Sequence, residues 1–128
     1  MPAGREDEAR RFYGDALGLR EVPKPAELAD RGGCWFISAG GAVHVHLGVD
    51  PDFRPAGKAH PALVVGNLDG VRRRLIAAGA AITDDDSIGV RRFYASDPFG
   101  NRIEFVAERD RGFTERDWSA RRRQDGRC

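Results

Sequence analysis

The sequence predicts an α+β fold made of two similar halves, and three observations carry that reading. Two stretches, each closed by a glycine, place apolar residues at helical spacing. The segments that follow each of them alternate apolar and polar residues with a period of two. The order of these elements also recurs. Gly18 to His44 is 26 positions and Gly79 to Glu104 is 25, which reads as an internal duplication of about sixty residues.

The first helical stretch holds Ala9, Phe12, Tyr13, Ala16 and Leu17, spaced i, i+3, i+4, i+7 and i+8. Glu6, Asp7, Glu8, Arg10, Arg11 and Asp15 fill the other side, and Gly18 stops the helix. Cys34-Trp35-Phe36-Ile37 reads as a buried strand, and Gly40-Gly41 as a turn. Val43, Val45 and Leu47 then alternate with His44, His46 and Gly48. A strand is expected from His60 to Val65. The second helix runs from about Leu68 to Ala78, with a stripe of Leu68, Val71, Leu75 and Ile76. Asn67 can cap it and Gly79 can end it. Arg72-Arg73-Arg74 reads as its solvated face. A further strand covers Val90 to Ala95. Asp97-Pro98-Phe99-Gly100-Asn101 is a turn by composition, and the last strand alternates Ile103 and Phe105 with Arg102, Glu104 and Val106. His60 lies 19 positions before Gly79, whereas 19 positions before Gly18 falls off the start of the chain. The first half therefore lacks a counterpart of the second half's opening strand.

With 128 residues, 41% of them hydrophobic and 32% charged, the chain has the balance of a soluble globular protein with material for one core. A formal net charge of +1 points to neither nucleic acid nor a membrane surface. No apolar run reaches the length of a membrane span, and the start, Met1 to Glu8, is too polar for a secretory signal. Of the two cysteines, Cys34 lies in an apolar run and Cys128 is the last residue. They read as free thiols, with the cytoplasm as the expected compartment. Residues 1–108 are expected to form one domain, divided at 57/58. Residues 109–128 hold seven arginines and four acids around Phe113 and Trp118, and read as a basic tail.

The residues that carry chemistry are His44, His46, His60 and Glu104, which include all three histidines. Their strand neighbours of opposite parity are apolar, which turns the four toward one polar face. Imidazole and carboxylate together suit a divalent ion of intermediate hardness: zinc, nickel, manganese, iron or cobalt. Such an ion serves as a Lewis acid on a substrate oxygen or on bound water.

Several segments resemble the vicinal-oxygen-chelate superfamily of glyoxalases, bleomycin-resistance proteins and dioxygenases. Arg11-Phe12-Tyr13 followed by Leu17-Gly18-Leu19 resembles the helix of its first module. Ala59-His60-Pro61-Ala62-Leu63-Val64-Val65 resembles the strand that opens its second module, and Asp97-Pro98-Phe99-Gly100-Asn101-Arg102-Ile103-Glu104-Phe105 its closing strand. His46-Leu47-Gly48-Val49, Asp52 to Ala56 and Lys58 to Ala62 are similar to a small bacterial glyoxalase-like branch. The resemblance spans roughly residues 5 to 108. It implies two βαβββ modules that form a curled mixed sheet cup, the first module lacking its opening strand, with Met1-Pro2-Ala3-Gly4 as the turn after that strand. It implies His60 and Glu104 as second-module metal ligands, with Glu104 a possible proton acceptor. The first-module ligand is His46 by the glyoxalase-like branch and His44 by the internal repeat, His46 being ranked first. The expected function is a metal-dependent glyoxalase-like lyase or isomerase, acting as a homodimer on a small oxygen-chelating substrate. The alternatives are a drug-binding protein of the bleomycin-resistance type and a fosfomycin-type thiol transferase. The last needs a cationic pocket, for which Lys58, Arg91 and Arg92 are the candidates.

Overall fold

Residues 1–108 are described by the computed structural model. The expected basic tail and Cys128 lie outside the described residues. Helix α1 begins as an α-helical turn, Glu6–Ala9, and continues as a π-helical stretch, Arg10–Ala16. Leu17 N donates to Phe12 O, five residues back, at 3.0 Å, the longer reach that defines a π-turn. Phe12, Tyr13 and Ala16 stay on the buried side, so the apolar stripe read from sequence survives the change in winding. Gly18, at φ 75°, turns the chain so that Leu19 N reaches Tyr13 O at 3.0 Å and closes the helix.

Strand β1 (Arg20–Val22) and a 3₁₀ segment (Ala26–Arg31) follow; neither was singled out in the sequence. Strands β2 (Cys34–Ile37) and β3 (His44–Leu47) fall where the alternation placed them. The three form an antiparallel sheet in the order β1-β2-β3. The second half supplies β4 (Ala62–Val65), α2 (Leu68–Ala77), β5 (Ile82–Asp84), β6 (Arg92–Ser96) and β7 (Arg102–Ala107). Its sheet runs β4-β7-β6-β5, with β4 parallel to β7 and the other neighbours antiparallel. The observed class is therefore α+β with a mixed sheet and two related halves, as the sequence implied. Asn67 caps α2, its Oδ1 accepting from Gly70 N at 2.9 Å.

Two strand boundaries differ from expectation. His60 and Pro61 precede β4 instead of opening it, because proline has no N–H to give to a ladder. Pro61 still contributes its carbonyl, which accepts from Glu104 N at 2.9 Å. The strand read from Val90 begins at Arg92.

One apolar cluster joins the halves. Ala9, Phe12, Val71, Leu75, Ile103 and Phe105 are buried in it, with Leu17, Val45 and Leu63 partly buried against it. Phe93 stacks on Phe105 and Tyr13 on Phe36. The helices thus cover the odd-numbered positions of β7, β6, β4 and β3, and the even-numbered positions of these strands face the other way.

Candidate ligand and metal site

Parity now places the polar side chains. On β7 the face away from the helices carries Arg102, Glu104 and Val106, and on β6 it carries Arg92, Tyr94 and Ser96. The register sets Tyr94 beside Glu104 on one side and Ala62 beside it on the other. His60, two residues before Ala62, shares that parity. Its Nε2 lies 3.1 Å from Glu104 Oε2. Glu104 is 8% exposed, so this carboxylate is held largely out of water.

The second oxygen of Glu104 is also engaged: Arg92 Nη1 donates to Oε1 at 2.8 Å, and Arg92 Nη2 donates to Asp85 Oδ2 at 2.6 Å. Burial pushes the Arg92 guanidinium down, but the Glu104 carboxylate outweighs it and the net position is above the ordinary arginine value. Hydrogen bonds from Ser87 hold the Asp85 carboxyl below its usual range, with Arg92 reinforcing the effect. Among the described residues Arg92 Nε is the buried side-chain polar atom without a hydrogen-bond partner. Tyr94 sits at the centre of the group, edge-on to His60 with ring centroids 5.3 Å apart and with Arg102 Cζ 3.8 Å from its ring centroid. A cavity of about 290 Å³ opens beside Tyr94, Ser96, Thr83 and Arg102. Tyr94, Arg102 and Asp85 were not picked out as site residues. The period-two pattern of Arg92-Phe93-Tyr94-Ala95-Ser96 is the signal that exposes Tyr94.

His60 is oriented by its own backbone. Nδ1 lies 2.7 Å from Lys58 O, and a carbonyl only accepts, so Nδ1 must carry a proton. In a neutral imidazole Nε2 is then a lone-pair acceptor. It faces a carboxylate oxygen, which is another acceptor. Two acceptors at 3.1 Å require something between them, either a proton carried by one of the two groups or a metal ion. Two ligand atoms each about 2.1 Å from one ion, and 90–110° apart around it, stand roughly 3.0–3.4 Å from each other. The pair therefore fits two coordination positions.

The other two candidates stand apart. His44 and His46 project from β3, both exposed, with ring centroids 6.1 Å apart. The His46 ring lies flat on Trp35, its cross-strand partner, at 3.7 Å between centroids. No group of three or more His, Cys, Asp and Glu among the described residues could hold a metal ion. The structure thus brings His60 and Glu104 together, and keeps His44 and His46 as a second pair on the other sheet.

Two of the three cationic candidates are held in ion pairs. Arg91 pairs with Asp69 at 2.7 Å, Arg92 with Asp85 and Glu104, and Lys58 is exposed. A separate cavity of about 540 Å³ lies near Glu8, Arg11, Phe12 and Ser96; no histidine lines it, so its size does not make it the chemical centre.

Comparison with known proteins follows the same lines. A family model described as a glyoxalase-like domain matches residues 3–106. A solved structure assigned to the glyoxalase family, from Bacillus anthracis, is 48% identical, with a TM-score of 0.77 over 85% of this chain and 88% of that one. A glyoxalase/dioxygenase from Nostoc punctiforme shares the fold at 23% identity, with a TM-score of 0.68 over 86% and 88%. So does the genomically encoded fosfomycin resistance protein FosX from Listeria monocytogenes, at 15% identity and a TM-score of 0.73 over 94% and 92%. No curated protein matches the chain.

Proposed function

The chain belongs to the glyoxalase-like family, and on that premise we propose that it is a metal-dependent lyase or isomerase of glyoxalase type acting on a small oxygen-rich substrate. The observation that carries the reading is the opposed pair of acceptors, His60 Nε2 and Glu104 Oε2 at 3.1 Å. His60 and Glu104 would hold a divalent cation, with His46 or His44 as the further ligand. When bound, that ion would supply Lewis acidity toward substrate oxygens. The chain's own residues do the rest. The Lys58 carbonyl fixes the His60 tautomer, as partners behind a ligating histidine commonly do. Arg92 anchors one oxygen of Glu104 and leaves the other turned to His60, where it would bind the ion or accept a proton. Tyr94 and Arg102 would bound the substrate pocket. Cytoplasmic residence and a homodimer complete the proposal; the free, buried Cys34 thiol is consistent with a reducing compartment.

Titration of Zn²⁺ and Mn²⁺ into the 128-residue chain and into His60→Ala and Glu104→Gln tests this. The expected result is saturable binding by the parent, weakened about tenfold or more in each variant. Equal affinity in all three proteins would refute the assignment.

A second reading has its own observation. No third ligand joins His60 and Glu104 among the described residues, and Arg92 Nε is an unused buried donor. Both suit a protein that binds an oxygen-bearing small molecule without metal, a proton bridging His60 and Glu104. Absence of metal binding together with retained ligand binding would select it. The fosfomycin-type alternative draws no support from Arg91 or Arg92, whose guanidinium groups are already paired with carboxylates.

A further inference from the structure

The face that carries Glu104 also carries an unmatched cation. Arg102 precedes Glu104 by two residues on β7 and lies across the ladder from Ser96 of β6. Its guanidinium stacks on Tyr94, with Cζ 3.8 Å from the ring centroid, but makes no hydrogen bond or ion pair among the described residues. Arg11, Arg20, Arg31, Arg54 and Arg73 also lack such partners, but they are exposed and water serves them. Arg102 is half-buried. Arg92, the half-buried arginine beside it on the same face, is matched to two carboxylates. A guanidinium drawn partly out of water with its five N–H donors unmatched is costly to hold.

Tyr94 fixes where these donors point. A guanidinium stacked on a ring presents its N–H groups around its edge, the arrangement that receives a carboxylate through two parallel bonds. The cavity of about 290 Å³ beside Arg102 suits such a ligand. The hydroxyls of Thr83, Tyr94 and Ser96 line it and likewise have no hydrogen-bond partner among the described residues. No carboxylate among the described residues lines it, so Arg102 sets its charge. Ligand pockets span about 300–1,000 Å³, which places this one at the small end.

We propose that Arg102 is an anion-binding residue and that the substrate of the site is a small carboxylic acid. Its carboxylate is received by the Arg102 guanidinium, and the Thr83 and Ser96 hydroxyls donate to the same group. Residues two apart on a strand stand about 6–7 Å apart, so the acid's other oxygens, a short carbon chain away, reach the His60–Glu104 pair. The substrate class rests on the reading of that pair as the chemical centre, whereas the anion contact itself needs no metal.

The probe is 2-oxoglutarate, which has adjacent oxygens at one end and a second carboxylate at the other. It is compared with its 5-amide, which lacks only that second charge, and with inorganic phosphate. Titration calorimetry on the chelator-treated full chain is expected to show saturable binding of 2-oxoglutarate. Binding should weaken about tenfold or more in Arg102→Gln and be partly recovered in Arg102→Lys. The amide should bind the parent about tenfold or more weakly and be indifferent to Arg102→Gln. Urea unfolding checks that the variants fold, and the comparison of acid with amide on the parent holds whether they do or not. No binding by the parent, equal affinity for acid and amide, or undiminished affinity in a folded Arg102→Gln overturns the proposal. So does phosphate that binds more tightly than the acid. Failure of the metal reading has a different signature: the parent takes up no Zn²⁺, while 2-oxoglutarate binding and its dependence on Arg102 persist.

Discussion

The strongest structural prediction concerns Asp97, buried at 5% exposure under the turn that launches β7. Its carboxylate accepts from Phe99 N at 2.9 Å, Asn101 N at 2.8 Å, Asn101 Nδ2 at 2.8 Å and the Tyr13 hydroxyl at 2.7 Å. Three of these bonds build the turn, and the fourth ties it to α1 across 84 residues of chain. Burial, with the Asp97 charge beside it, raises the Tyr13 phenol well above its ordinary value, so the hydroxyl stays a donor at any working pH. Hydrogen bonds to a charged group contribute about 1.5–3 kcal/mol each. Tyr13→Phe removes one bond and leaves the carboxylate three donors, so it should cost about 1–2 kcal/mol. Asp97→Ala strands buried donors on both sides and should cost about 3–5 kcal/mol. In a chain of this size 1 kcal/mol moves Tm by roughly 3–5 °C, so Tyr13→Phe should lower it by roughly 3–10 °C. Urea unfolding of the parent, both single variants and the double variant gives the coupling directly. The two residues should couple by about 1–2 kcal/mol. Strict additivity, or a Tyr13→Phe effect within about 0.5 kcal/mol of zero, would refute the claim that this bond ties α1 to the turn.

Three further outcomes follow from single sites. Gly33→Ala should cost more than about 3 kcal/mol or block folding, because a Cβ there would lie 2.0 Å from Leu47 O and the backbone sits at φ 79°; a soluble variant within about 1 kcal/mol of the parent by urea unfolding would contradict it. Leu75→Ala, at a fully buried α2 position in the shared cluster, should cost about 2–5 kcal/mol, read by the same assay. Glu6 accepts from Gly33 N at 2.9 Å, and that bond lowers its carboxyl below the ordinary value. Its stabilising contribution is thus complete above the unfolded-state pKa and is lost as pH falls through the folded one, so Glu6→Gln should flatten the acid limb of stability against pH; an unchanged acid limb would sink this.

How much of this was legible beforehand depended on whether a pattern was local. The stripe Ala9, Phe12, Tyr13, Ala16 marked the buried face of α1, but could not specify its π-winding, since i, i+3, i+4, i+7 spacing is the ordinary α-helical pattern and carries no mark of bonds that reach five residues back. The alternation of Ile103 and Phe105 with Glu104 gave the facing of β7 correctly. β1 and β5, three residues each, are too short to show a period, and both are held as strands by their neighbours β2 and β6. The start of β4 was misplaced by two residues because His60 and Pro61 run directly into the apolar stretch Ala62 to Val65, while the ladder that defines the strand begins only after the proline.

The candidate site divides along the same line. That His60 meets Glu104 follows from the second half alone: β4 pairs with β7, and both residues have outward parity. Local pattern was sufficient there. Bringing His44 or His46 to the same point is a different demand, because each half is internally consistent whatever lies between β3 and β4. The expected four-residue set rested on the assumption that corresponding strands of a duplication converge. In the structure the two sheets end at β3 and β4 with a groove between them, and the His44–His46 pair stays with Trp35 on its own sheet. The distance between the two pairs is set by the width of that groove. Metal affinity of the parent, of His60→Ala and of the His44→Ala, His46→Ala double variant therefore tests whether the pairs act together. Affinity that falls about tenfold or more in both variants would show that His44 or His46 completes the site. Affinity indifferent to the double variant would leave His60 and Glu104 acting on their own.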